Sequence, residues 1–175
     1  MSYCDILQPE VIDIDDTLRL RKYDGKYEIA IPWYQDPIVY YNSEGITDPE
    51  KIPDTEYIKR MYRYLSEHGE CYWIEVLEKG VFVPIGDVTL KEENPPIAIG
   101  VAQYRSVGIG TKVMRAIIQR AKELGIPKLY GSKVYTYNKI SQKMHESLGF
   151  QCVGISENEM YYEIDLTENE ISVIE

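Results

Sequence analysis

Between Ile97 and Gly125 the chain changes period once, and that change constrains the fold more than anything else in it. A short apolar run, Ile97-Ala-Ile-Gly-Val101, has the length and character of a buried strand. After the junction Gln103-Tyr-Arg-Ser-Val-Gly-Ile-Gly-Thr-Lys112, apolar residues recur at Ile109, Val113, Met114, Ile117, Ile118, Ala121 and Leu124, the spacing of an amphipathic helix. Gly125 and Pro127 stop that helix in the usual order. A second strand over Lys128–Tyr135 then makes a βα crossover unit, which requires a layered α/β architecture.

The flanking segments fill in the rest. Leu18-Arg-Leu-Arg21 alternates like a half-buried strand. Pro32 and Pro37 break the stretch from Asp24 to Tyr41 into two short helical pieces, and Asn42 to Asp54 reads as loop. Ile58, Met61, Tyr62 and Leu65 form the stripe of another helix. Cys71–Leu77 and Phe82–Leu90 read as an antiparallel strand pair turning at Glu78-Lys-Gly80. Asn138 to Leu148 is a helix closed by Gly149, and Phe150–Ile155 and Glu159–Leu166 make a last strand pair. The expected fold is an α/β (α+β) domain over residues 1–166, with a mostly antiparallel sheet of six or seven strands and about four helices. Residues 167–175 are expected to form a loose acidic tail.

Charge narrows the ligand class. The net charge of −10 comes from the ends: residues 1–17 hold five acids and residues 157–175 hold seven, with no Lys or Arg in either. Between 105 and 143, nine basic residues face Glu123 alone, which suits a small polyanionic ligand, although a solvated helix surface explains it too. An acidic protein is a poor fit to nucleic acid, whose binding rests on phosphate neutralisation. No apolar run is long enough to span a membrane, and the N-terminus lacks a basic and apolar leader. Three widely spaced cysteines predict neither a disulfide framework nor a metal site, so a reduced, cytoplasmic protein without metal is expected.

Glycines where a strand turns into a helix let backbone approach a ligand, and the helix start offers unpaired N–H groups to phosphate. Neither the Walker A spacing nor the dinucleotide fingerprint fits, since the latter needs glycine where Val113 stands. Arg105-x-x-Gly108-x-Gly110 instead resembles the pyrophosphate loop of the GNAT N-acetyltransferases. Asn138-Lys-Ile-Ser141-Gln-Lys-Met-His145-Glu-Ser-Leu-Gly149-Phe150 resembles the second signature of that family, in the expected order and on the expected element.

The resemblance implies a splayed central sheet, acetyl-CoA as cosubstrate and a primary amine acceptor on a small molecule or a protein N-terminus. It places the pyrophosphate on the backbone of Ser106, Val107, Gly108, Ile109, Gly110 and Thr111, with Arg105 and Lys112 adding charge. It places the pantetheine arm along Ile99, Gly100 and Val101, where a backbone N–H would polarise the thioester carbonyl. Asn138 would contact the pantetheine or simply cap its helix, and Ser141 is the small residue that allows close approach. His145 stands where many members carry a tyrosine that protonates the departing thiolate; it is a candidate general acid or merely lines the tunnel. Ala98 stands where the family often carries Glu, so the general base is unassigned, with Glu92 and Glu93 as weak candidates.

Sixteen of the 20 aromatic residues are Tyr, and Trp33, Tyr34, Tyr40 and Tyr41 fall where acceptors bind in this family. Pro32-Trp-Tyr-Gln-Asp-Pro37 is similar to segments of the ribosomal-protein and aminoglycoside acetyltransferase branch. A CoA-binding regulatory module that has lost turnover is the alternative reading, and a homodimer is possible.

Overall fold

The computed structural model describes residues 6–167, so all but Thr167 of the expected acidic tail lies outside the described residues. Strands β1 (Val11–Asp15), β2 (Leu18–Lys22), β3 (Glu70–Glu78), β4 (Val81–Leu90) and β5 (Ile97–Ile99) form an antiparallel sheet in that spatial order. Helices α1 (Ile31–Tyr34), α2 (Pro37–Glu44) and α3 (Thr55–His68) lie between β2 and β3 in the chain, and α4 (Ile109–Glu123) follows β5. Strand β6 (Lys128–Tyr135), helix α5 (Lys139–Ser147), and strands β7 (Gln151–Ile155) and β8 (Glu159–Asp165) complete the order. The last three strands make a second antiparallel sheet, β6-β8-β7.

Local chemistry sets most of these boundaries. Pro32 and Pro37 each sit in the first turn of a short helix, where a missing N–H does no harm. Asp36 and Asp54 cap α2 and α3 by accepting from the backbone N–H of Ile38 and Tyr57. Helix α2 runs to Glu44, three residues into the stretch expected as loop, and ends on Gly45 in the left-handed region. Strand β1 is an addition to the sequence reading. Its acids Asp13 and Asp15 are exposed, while Ile12 and Ile14 alternate toward the core, as suits an edge strand.

Two apolar layers cover the faces of the five-stranded sheet. On one face α4 packs Val113, Met114, Ile117 and Ala121 against Leu20, Ile74, Val88 and Leu90. On the other, α1 and α3 pack Trp33, Tyr34, Ile58 and Tyr62 against Cys71 and Trp73. At ~1.5–3 kcal/mol per buried large side chain, these two layers supply the main driving force for closure.

Among the described residues one isolated β-bridge links the two sheets. Tyr130 donates its N–H to Glu92 O at 2.9 Å and accepts from Asn94 N–H at 2.7 Å, giving a parallel bridge between Glu93 and Tyr130. Immediately afterwards β6 bulges, with Gly131 at φ +64° and a register shift between Leu129 and Ser132. Strands β5 and β6 belong to different sheets, and the isolated Glu93–Tyr130 bridge, a few residues before β5, is the β-pairing between those sheets among the described residues. The run expected as a buried strand to Val101 therefore ladders only over Ile97–Ile99, on its β4 side.

Helix α1 is seated directly on this strand. A Cβ at Gly100 would stand 2.1 Å from Cγ of Trp33. Gly100→Ala is expected to push α1 outward and destabilise the protein by ~1–3 kcal/mol, as overpacking does, measured by urea unfolding. An unchanged midpoint would show that Trp33 is not fixed against β5.

Candidate active site

The junction between β5 and α4 folds as a tight loop. Ala102–Tyr104 form one 3-10 turn, Ser106 takes φ +60° and Gly108 takes φ +88° at the helix N-cap. No side chain caps α4 there, so its first N–H groups are available to an anion. Nothing lies within 4 Å of a Cβ built on Gly108. Gly110 differs, because its Cβ would meet Sδ of Met144 at 3.2 Å. Of the two glycines, Gly108 keeps the cradle open and Gly110 lets α5 pack against the start of α4.

Arg105 and Lys112 face elsewhere than the sequence reading expected. The Arg105 guanidinium turns back to donate from Nε to Ile99 O at 2.9 Å and from an Nη to Gly100 O at 3.0 Å, and pairs with Asp36 at 3.2 Å. Lys112 Nζ reaches Asp15 at 2.9 Å, and that ammonium holds the Asp15 carboxyl down at about 2. Arg120, Lys128 and Lys133 also pair with Glu70, Glu163 and Glu159. Five of the nine basic residues between 105 and 143 thus have carboxylate partners, which weakens the polyanion reading of that stretch.

Along β5, the N–H groups of Gly100 and Val101 both converge on Ile85 O, at 2.7 and 3.1 Å. Thr89 N–H reaches Pro96 O on the same side. By the two-residue alternation of a strand, Ile99 presents its N–H to the open gap. Among Ile99, Gly100 and Val101, Ile99 is therefore the residue able to offer a ligand its amide.

On α5, Asn138 is the N-cap, accepting from Ser141 N–H at 3.2 Å. Ser141 is half-buried one turn above His145, with Oγ 3.4 Å from Nδ1. His145 is buried, edge-on to Phe150 and stacked on Tyr162. Its Nδ1 lies 2.7 Å from Ser141 O, an atom that can only accept, so Nδ1 carries the proton. Burial lowers the His145 pKa, with the Ser141 carbonyl pulling the other way.

Glu92 and Glu93 sit at the closed apex of the splay, tied by backbone to Tyr130. The carboxylate that the sequence reading passed over is Asp87. It is 1% exposed on β4, opposite Ala98 of β5, and accepts from Tyr62 Oη at 2.7 Å and from Tyr34 Oη at 2.9 Å. Burial raises its pKa to about 6, with the two hydroxyls pulling it back. A lone acid between Gly86 and Val88 in an apolar strand was the available signal.

The expected acceptor aromatics divide into two sets. Trp33 and Tyr34 are buried under the sheet, whereas Tyr41 stacks on Tyr137 at 4.1 Å, and Tyr137 stacks on Tyr135 at 5.3 Å. Tyr137 Oη also donates to Tyr41 O at 2.6 Å. This stack joins α2 to the end of β6.

Residues 32–150 match the model of the acetyltransferase (GNAT) family. The chain belongs to that family. Human N-acetyltransferase 8 is 27% identical over 100 residues, 53% of this chain and 44% of that relative, so the chain spans less than half the length of the curated protein it matches. The microcin C7 self-immunity acetyltransferase MccE, solved with acetyl-CoA and AMP, superposes with a TM-score of 0.67 at 20% identity, covering 91% of this chain and 98% of that one. RimL, the ribosomal L7/L12 alpha-N-protein acetyltransferase solved with coenzyme A, gives 0.68 at 14%, covering 89% and 98%. These identities establish a shared GNAT fold, with a ribosomal-protein acetyltransferase among the neighbours.

In this GNAT chain Asp87 makes stability depend on pH. A carboxyl whose pKa rises on folding favours the fold in its protonated form, fully below the ordinary value of 3.8, and that contribution is lost as pH climbs through about 6. Asp87→Asn is expected to melt above the wild type at pH 8, with the difference closing as pH falls toward 4. A difference independent of pH in thermal melts would show that Asp87 does not titrate in this range.

Proposed function

We propose that the protein is an acetyl-CoA-dependent N-acetyltransferase acting on a primary amine of a small molecule or a protein N-terminus. The observation that carries this reading is the gap between β5 and β6, with the uncapped start of α4 at one end and the Ile99 amide on its wall. Acetyl-CoA, when bound, supplies an acetyl group already activated as a thioester. Ser106 to Thr111 would hold the pyrophosphate through backbone N–H groups. Ile99 N–H would donate to the carbonyl oxygen as negative charge gathers on it. Asn138 and Ser141 would lie along the pantetheine arm, Asn138 also capping its helix.

For His145, burial and the Nδ1 contact to the Ser141 carbonyl favour lining the tunnel over acting as an acid. A thiolate is a good leaving group and can take its proton from the attacking nitrogen. Tyr41 and Tyr137 stand at the mouth where an amine would enter, and aromatic faces suit a cation. The two free thiols among the described residues, Cys71 and Cys152, support a reducing, cytoplasmic setting. The second reading, a CoA-binding module without turnover, draws on the same capture of His145 by the Ser141 carbonyl.

Acetyl-CoA should raise the melting temperature, as a ligand of the folded state must. Gly108→Val should lower the unliganded melting temperature, because valine is strained at that backbone angle, and should abolish the ligand shift by filling the cradle. A full shift in that variant rules out the loop as the pyrophosphate site. Thiol release with a panel of amines separates the two readings, with turnover on any amine removing the regulatory one. His145→Phe is expected to keep turnover within about threefold of wild type, whereas a loss nearer 100-fold would restore the acid role.

A further inference from the structure

We propose that Asp87 takes up, through the hydroxyl of Tyr34, the proton that the acceptor amine must lose before it attacks. This inference rests on the transferase reading and supplies the base that Glu92 and Glu93 do not. An amine of reference pKa near ~10 arrives protonated at neutral pH. Something at the site must accept that proton.

Asp87 is placed for it. Its backbone pairs with Ala98, one residue from the Ile99 amide on the gap wall. Its side chain points to the face covered by α1 and α3, since Tyr34 comes from α1 and Tyr62 from α3. Trp33, beside Tyr34, packs on Gly100, so α1 sits directly over the strand that lines the gap. A buried carboxylate is costly unless paired with a cation, and among the described residues its hydrogen-bond partners are two neutral hydroxyls. A clamp between helices and sheet needs no such charge; asparagine would serve it. A group that must exchange a proton does need it.

The titratable groups around it are few. Tyr34 faces it from α1, Tyr62 from α3 and the Cys71 thiol from β3, while β5 contributes Ala98. Glu44 of α2, which accepts from Tyr57 Oη at 2.8 Å, is close enough to help raise the Tyr34 pKa.

The step balances without a further reactant. The ammonium passes one proton to Tyr34 Oη as the Tyr34 Oη–H proton moves to an Asp87 oxygen, leaving a neutral phenol, a carboxylic acid and a free amine. The amine nitrogen bonds to the acetyl carbon, the carbon–sulfur bond breaks, and a second proton leaves nitrogen for the thiolate. Asp87 returns its proton by the same path once product departs.

The pH dependence of kcat/KM tests this, using the full chain, acetyl-CoA and a panel of spermine, kanamycin and a serine-initiated tetrapeptide. Wild type should show a plateau bounded by Asp87 at about pH 6 on the acid side and by the amine pKa on the alkaline side. Asp87→Asn should lose about 100-fold at pH 7, and its plateau should be replaced by a rise that continues to the amine pKa, since only amine already neutral in solution can attack. Tyr34→Phe should do the same. Tyr62→Phe removes a hydrogen bond that favours the carboxylate, so its acid limb should move to higher pH rather than vanish. Should Asp87→Asn fail to fold, the contrast between the two tyrosine variants decides alone. Asp87→Asn within about threefold of wild type and with the acid limb intact overturns the relay while leaving the transferase reading standing. Identical profiles for the two tyrosine variants overturn it as well. Wild-type silence across the panel removes the transferase reading and the relay with it.

Discussion

The separation of β5 from β6 is the constraint from which the rest of the site follows. Backbone N–H and C=O groups inside a protein are almost always paired, so an interior strand edge left open requires something that prevents pairing. Here that is the bulge at Gly131, one residue after the Tyr130 bridge, where a left-handed backbone turns β6 away. Asn94 reinforces the divergence by accepting from Lys133 N–H through its side chain, at 3.2 Å. Past that bridge Ile99 has a strand edge facing away from β4, and α4 follows it in the chain. A phosphate-bearing ligand with a long polar arm is complementary to both features at once.

Much of this organisation was legible in the sequence because it is written in local chemistry. The prolines at 32 and 37, the caps at Asp54 and Asn138, and the apolar stripes of α3 and α4 each act over a few residues. The features that escaped are those set by distant partners. Strand β1 looked like an acidic leader because its apolar alternation covers two residues, Ile12 and Ile14, and its acids sit on an edge that only the sheet order reveals. The directions of Arg105 and Lys112 depend on Asp36 and Asp15, respectively 69 and 97 residues away. Asp87 became visible as a buried, hydrogen-bonded acid only when α1 and α3 brought tyrosines to it.

His145 shows the same limit from the other side. Helical spacing put it on the face of Asn138 and Ser141, and it does rise from that face. What spacing could not supply is the length of the side chain and the carbonyl that captures it. A tyrosine extends its hydroxyl well past the backbone of its own helix, while an imidazole can fold back onto the carbonyl four residues earlier, as His145 does with Ser141. Its remaining ring surface is taken by Phe150 and Tyr162.

Asp36 ties the two halves of the site together. One carboxylate oxygen caps α2, at 2.9 Å from Ile38 N–H, and the other accepts from Arg105 at 3.2 Å. Arg105 in turn holds the carbonyls of Ile99 and Gly100. The helix that carries Tyr41 is therefore joined, through one acid and one guanidinium, to the edge of β5. A half-exposed ion pair alone contributes only ~1 kcal/mol or less. Its value here is geometric, because a planar guanidinium gripping consecutive carbonyls fixes direction as well as distance. By taking Ile99 O, the same contact that anchors α2 also ties down the carbonyl on the β5 edge that faces away from β4.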